Sequence, residues 1–487
     1  LGTLLGEAAA GSRMSRSASS LFWEARGTAN GISVLAPQLR VLHNSALPHS
    51  LNEGALWAGR GESGMVTAGL ALSRGPVRIV LAPQVTVAAN ARFQTIPYPQ
   101  NAEPARSQWA NPFHPAPGAT VDAPLRFGDQ RLARVVPGQS AIEVDAPGVV
   151  VKLGTENLWW GPALRHAVTL SSHAEGFPHL SVRARTPWRT RVGQFDGQWL
   201  FGQLRESDFF DDDRSNDRRA LSGAMLTYRP RADSLLTLAV ARLVMAPWGV
   251  SEALGVLRSV GAPDTTADAS PREQITTLMA RWAVPAVGTE VYAEWARFAE
   301  PRSLSDLLEF PGYSQGYTLG VQWARPLTVT RQVAVQAELS MVEPDASLRL
   351  RPVNASYTSR GVPHGWTHRG RTLGASTGVG SSAQWVAADL YEARWRVGLY
   401  AGRIRWDNAA LWTDVVPAVK NEDISMYAGV RASGSWRGVR LLVDYTHAAR
   451  LGYLFQDKIK DPERGTHEGV DFVNRTLALT LSMPVGR

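Results

Sequence analysis

Cysteine is absent from the 487 residues, which removes disulfides, thiolate catalysis and cysteine-based zinc sites together. No run of 18 or more apolar residues occurs, so a helical membrane protein is excluded. The chain has no HExxH pair and no G-x-x-x-x-G-K-[ST] phosphate loop, and so lacks the short signatures of zinc peptidases and nucleotide hydrolases. No Pro/Ser linker or block of charge divides it, so beyond its first residues it reads as one domain despite its length. Leu1 is preceded by neither an initiator Met nor a signal segment; the expectation is a signal already removed, or further residues upstream.

What is present is a rhythm. About 17 short segments alternate apolar and polar residues, the period of a strand with one face in lipid or core and the other in water. Val77, Ile79, Leu81, Pro83, Val85 and Val87 share one face, with Arg78, Gln84 and Thr86 on the other. The same period returns at Tyr317, Leu319, Val321 and Trp323, at Val333 to Met341, and at Leu477, Leu479, Leu481 and Met483.

Alternation alone also fits a soluble sandwich, and the connections decide between the two. Ser73 to Pro76, Thr186 to Arg189, Arg229 to Asp233, Val284 to Gly288, Pro326 to Thr330 and Ser433 to Gly438 read as tight turns. Between them lie long loops: Asn90 to Gly138, Glu206 to Arg219, Ala246 to Glu273, Glu300 to Gln315, Glu343 to Ala383, Asp407 to Asp423 and Arg450 to Asp471. Short turns on one rim and long loops on the other mark a transmembrane antiparallel β-barrel in a bacterial outer membrane, with the long loops extracellular. A mean hydropathy of -0.16 suits a wall with one wet face. Several of the 17 tryptophans fall near strand ends, as Trp188, Trp282 and Trp436 do, where an indole suits the lipid boundary. Residues 1–31 are Ala/Ser-rich and do not alternate, and are expected to form a short N-terminal plug or tether, with the barrel spanning 32–487. The first strand is expected at Ser33 to Asn44, where alternation is poor around Pro37.

Particular residues then resemble a family. Glu156-Asn157-Leu158-Trp159-Trp160-Gly161-Pro162, Gly176-Phe177-Pro178-His179, the GQLRES run from Gly202 to Ser207, SQGYTLG at Ser314 to Gly320, THRGRTLGA at Thr367 to Ala375, WRVGLYAGRIRWD at Trp395 to Asp407 and Tyr453-Leu454-Phe455-Gln456 together resemble the capsule assembly proteins of the Wzi type, in order over roughly residues 33 to 483. The resemblance implies a barrel of about 18 strands, closed by a plug, acting as a lectin-like protein that anchors capsular or other surface polysaccharide without catalysis. The alternative is a porin or transport channel with an open lumen.

A binder of sugars needs aromatic platforms for their C–H faces and planar hydrogen-bonding groups beside them; an acidic polymer adds a need for Arg or Lys. The loop from Glu343 to Ala383 has no acid after Asp345 and supplies the candidate contacts Tyr357, Arg360, Trp366, His368 and Arg369. Trp366 is expected to stack on sugar while Arg360 and Arg369 bind carboxylates. The competing reading is a loop folded over its own barrel mouth. Asn157, Trp159 and Trp160 form a second candidate set, against the reading that they fix a loop folded into the lumen. The net charge of +8 suits acidic sugars or lipopolysaccharide phosphate as partners, together with outer-membrane lipid; basic residues spread through strands and loops argue against nucleic acid. The chain is expected to act as a monomer, with no cofactor.

Inward positions are expected to include Glu290, Tyr292 and Glu294, with Arg281 across a hairpin, and Arg183, Arg396, Glu338 and Asp444 elsewhere. Glu290 and Glu294 are not a glycosidase pair: four residues along a strand span roughly 13 Å, beyond the limit of about 9.5 Å for such carboxylates. Lumenal salt bridges are the expectation. Asp211, Asp212 and Asp213 lie in an acidic loop that does not follow an EF-hand register and reads as a solvated turn rather than a calcium site.

Overall fold

The computed structural model describes residues 14–20, 22, 30–94, 121–210, 213–258, 272–299, 303–344, 356–359, 361–408, 422–455 and 471–483. Eighteen antiparallel strands close into a barrel. They are β1 (Gly31–Asn44), β2 (Gly61–Arg74), β3 (Val77–Leu81 continued by Gln84–Ala88), β4 (Leu132–Val136 continued by Ala141–Ala146), β5 (Val149–Gly154), β6 (His179–Ala184), β7 (Gly193–Arg205), β8 (Arg218–Pro230) and β9 (Leu236–Pro247). The second half comprises β10 (Glu273–Val284), β11 (Thr289–Arg297), β12 (Gln315–Pro326), β13 (Gln332–Met341), β14 (Ser382–Glu392), β15 (Trp395–Trp406), β16 (Asp423–Trp436), β17 (Val439–Leu451) and β18 (Phe472–Ser482). Each strand pairs with its neighbour in sequence, and β1 closes the ring on β18 from Gln38↔Ser482 to Asn44↔Thr476.

The rims differ as expected. Two-residue turns such as Arg437-Gly438 sit on one rim, both residues at positive φ (49° and 84°), as a type I′ hairpin requires. The long connections leave from the other. Three local expectations are corrected. The stretch expected to be a single loop from Asn90 to Gly138 contains the strand Leu132–Val136, a five-residue piece ended by Pro137-Gly138 and too short to announce a period. The expected tight turn Thr186 to Arg189 is part of a longer connection in which Trp188–Arg189 pairs back on Phe195 and Gln194. β1 begins at Gly31 and carries a register shift between Leu35 and Gln38; the extra residue at Pro37 switches the outward set from Val34 to Leu39 and Val41, which is why alternation fails there.

The outward face follows the alternation. Val85, Val87, Leu319, Val321, Leu477 and Leu479 all point away from the barrel. An arginine on that face at mid-depth costs about 2–4 kcal/mol, so Leu479→Arg is expected to lower the denaturant midpoint of the lipid-inserted barrel; an unchanged midpoint would contradict the outward placement of β18.

The interior departs from a watered lumen. On β7 to β10 an apolar patch of inward side chains, Leu200, Leu221, Leu243, Ile275 and Met279, packs against Trp160, Leu170, Tyr357, Trp366 and Leu373 from inward-folded connections. Residues 15–17 join this interior by pairing antiparallel with 158–160. Elsewhere the wall is charged and paired: Arg281 binds Glu290 through two bonds of 2.9 and 2.6 Å, Arg396 and Arg431 share Asp389, and Arg450 binds Asp423 at 2.7 Å. Among the described residues, Glu294 and Glu338 form no salt bridge. Glu294 accepts the backbone N–H groups of Ala163 and Val168, and Glu338 those of Leu164, Arg165 and His166 together with the Tyr292 hydroxyl.

Candidate functional site at the long-loop rim

A cleft of about 760 Å³ opens at the rim that carries the long connections. Its walls are the rim ends of β3, β4, β7 and β8, the loop after β7, and the hairpin that contains His368 and Arg371. Asn90 shapes one side. At φ 49° it turns the chain at the end of β3, and its amide donates to the carbonyls of Phe127, Gly128 and Gln130 at 2.8, 2.9 and 3.0 Å. That fixes Phe127 between two other rings, with centroids 4.8 Å from Trp57 and 5.9 Å from Phe209, both edge-on. The result is a continuous wall of three half-buried rings, and a sugar's C–H groups pack on the electron-rich faces of such rings.

Guanidinium groups line the same cleft. Arg369 and Gly370 take positive φ (49° and 79°) in the two-residue turn between His368 and Arg371, which places Arg369 at the hairpin tip, with its N–H bonded to the Arg205 carbonyl at 2.8 Å. Arg369 and Arg134 converge on Glu175, at 2.8 and 2.9 Å. Arg131, Arg205, Arg214 and Arg218 also line the cleft and pair with no carboxylate among the described residues. Seven arginines face four carboxylates, Glu175, Glu206, Asp208 and Asp217, so the cleft carries surplus positive charge suited to carboxylate or phosphate.

Two buried groups below hold the hairpin. Burial, reinforced by the charge of Arg369, keeps the His368 imidazole well below its ordinary pKa; neutral, it accepts the Arg205 N–H at Nδ1, 3.0 Å away. Arg371, lowered to about 10 by burial and still charged at neutral pH, donates to the carbonyls of Gly54 and Leu56 at 2.9 Å and to Ser50 Oγ at 2.7 Å.

The sequence candidates therefore separate. His368 and Arg369 line the cleft; Arg360 lies outside the described residues. Trp366 is 1% exposed and offers no open ring face for stacking. Tyr357 is buried, its hydroxyl bonded to the Val168 carbonyl and the Ala375 N–H at 2.7 and 2.8 Å. Both belong to the packed interior, because their loop folds inward. The second set lies deeper. Asn157 bonds the Ala174 carbonyl and Gln139 at 2.8 Å, Trp159 donates to the Ala163 carbonyl at 3.1 Å with the Arg16 guanidinium 5.5 Å from its ring, and Trp160 is fully buried.

Sequence reasoning missed Trp57, Phe127, Phe209, Arg134 and Arg205, which come from separate connections and strand ends and meet only when the barrel closes. In the acidic loop, Asp213 accepts the N–H and hydroxyl of Ser215 at 2.9 and 2.6 Å, a turn; Asp211 and Asp212 lie outside the described residues. No group of His, Asp and Glu placed to hold a metal occurs among the described residues.

The family model for capsule assembly protein Wzi matches residues 137–391, just over half of the chain. Among solved structures, that of Wzi from Escherichia coli, described as an outer membrane protein involved in group 1 capsule assembly and a carbohydrate-binding β-barrel, aligns with a TM-score of 0.61 at 11% identity, over 96% of this chain and 88% of that one. OccK2 of Pseudomonas aeruginosa (0.40, 10% identity, 93% and 98% coverage) and a BenF-like porin from Pseudomonas fluorescens Pf-5 (0.43, 10%, 94% and 100%) also align, at TM-scores that carry no argument. No curated protein matches the sequence.

Proposed function

The chain belongs to the capsule assembly protein Wzi family, and from that premise we propose that it is a non-catalytic, monomeric outer-membrane barrel that holds acidic capsular or other surface polysaccharide at its extracellular mouth. The observation that carries this reading is the cleft lined by Trp57, Phe127 and Phe209 together with a surplus of arginines. Aromatic ring faces take the apolar faces of sugar rings while guanidinium forks take their carboxylates. Transport is disfavoured by the inward-folded connections, whose backbone is bonded to the wall at Glu294 of β11 and Glu338 of β13.

The test is retention of surface polysaccharide by proteoliposomes, with a glycan array to identify the sugar. Saturable retention of acidic polymers, with little or no ion current in a planar bilayer, is expected. Large stable openings without retention would move the function to transport.

A further inference from the structure

On β8 to β10 the odd-numbered side chains Leu221, Leu243 and Ile275 pack in the interior cluster, so Ser222, Val244 and Gln274 point out of the barrel. On an ordinary lipid-facing wall they would be open. They are instead 1%, 2% and 3% exposed, because the connection after β9 folds back over the outside of the wall. Its 3-10 helix, Val250–Leu257, is fastened there by polar contacts: Trp199 Nε1 and Ser222 Oγ donate to the Ala253 carbonyl at 3.1 and 2.9 Å, and a Cβ at Gly255 would touch Ser222 and Val244.

The same segment resolves an outward arginine. Arg242 lies on the outer face of β9, and its guanidinium donates to the carbonyls of Val256 and Arg258 at 3.0 and 2.9 Å and to Gln274 Oε1 at 2.7 Å. The helix thus covers polar wall. Its exposed side chains are mostly large and apolar: Val250, Leu254 and Leu257 are 73%, 57% and 75% exposed, beside Ser251 and Arg258, which is paired with Glu252. Trp248, at its start, stacks on outward Phe201 with centroids 5.8 Å apart. Further down these strands the wall continues as Val240, Leu238 and Leu278, also outward and uncovered.

We propose that residues 248–258 form a lipid-seated collar, an interfacial element on the outside of the barrel that puts Val250, Leu254 and Leu257 among the acyl chains of the outer leaflet. Continuity with the apolar belt names the occupant, because Trp248 joins the collar to outward Phe201 and the wall below continues as Val240, Leu238 and Leu278. An apolar face set beside an indole at the membrane boundary is how interfacial helices fix depth. Here the barrel wall carries the other face.

Because the chain has no cysteine, one nitroxide can be placed by Leu254→Cys or by Leu257→Cys in the full protein, reconstituted in phosphatidylcholine/phosphatidylglycerol bilayers. Leu278→Cys serves as the lipid-facing reference and Ser215→Cys as the aqueous one. Relaxation by oxygen is expected to match that at Leu278, with loss of the relaxation by a water-soluble nickel complex seen at Ser215. Nickel relaxation equal to that at Ser215 would overturn the collar in favour of an aqueous loop. Exclusion of both reagents would overturn it in favour of a contact with a second copy. Neither side chain supports the wall, so both variants are expected to keep the wild-type denaturant midpoint.

Discussion

Replacing Glu294 and Glu338 together by alanine is expected to convert a barrel with little conductance into one with stable openings. These carboxylates accept the backbone N–H groups of Ala163, Leu164, His166 and Val168 at 2.7 to 2.9 Å, and Glu338 also takes the Tyr292 hydroxyl at 2.7 Å. Each such hydrogen bond contributes about 0.5–1.5 kcal/mol, and each buried donor left orphaned costs about 1–3 kcal/mol. Their loss together should release residues 161–168 from the wall. Single-channel current in a planar bilayer and the denaturant midpoint report the two consequences. The Glu294→Gln, Glu338→Gln pair keeps an acceptor at each site and is expected to fall between. Unchanged current and midpoint in the alanine pair would mean that packing around Trp160 and Leu170 holds the loop alone.

The second large effect is expected at Glu175. Its carboxylate takes up Arg134 and Arg369, the two cleft arginines that are ion-paired among the described residues, and an incoming uronate must compete with it. Glu175→Gln is therefore expected to tighten binding of an acidic oligosaccharide by about tenfold, a difference of ~1.4 kcal/mol. Arg369→Ala is expected to weaken it, mainly at low ionic strength, since Arg369 is partly exposed and screened by salt. Calorimetry across a salt series checks both. Equal affinities for wild type and Glu175→Gln at every salt concentration would remove Arg134 and Arg369 from the site.

The outer surface was legible in the sequence because lipid imposes period 2 on every strand: Val85 and Val87, Leu319 and Val321, Leu477 and Leu479 all point outward. Even the failed alternation at Pro37 had a local cause, the bulge in β1. The interior was less legible. A strand that packs on an inward-folded loop is apolar on both faces, as Leu236–Pro247 is, and nothing local separates it from a strand in a soluble core. The site suffered most. Trp366 and Tyr357 look like sugar contacts in a basic loop, but what buries them, Val168, Leu221 and Leu373 among others, lies mostly far away in the chain. Of the described candidates, only His368 and Arg369 line the cleft, because the two-residue turn at Arg369 and Gly370 carries them to the rim.

The most direct test of the central claim is calorimetric titration of an acidic surface polysaccharide, with a neutral glucan of matched length as comparator, into the reconstituted barrel and its Arg134→Ala, Arg205→Ala, Arg369→Ala triple variant. Saturable binding of the acidic polymer by wild type is expected, weakened at least about tenfold in the folded triple variant at low salt, with the neutral glucan bound more weakly by both. Equal affinity of the acidic polymer for wild type and variant would contradict the cleft as the site, and no binding of either polymer by the folded wild type would contradict the function itself.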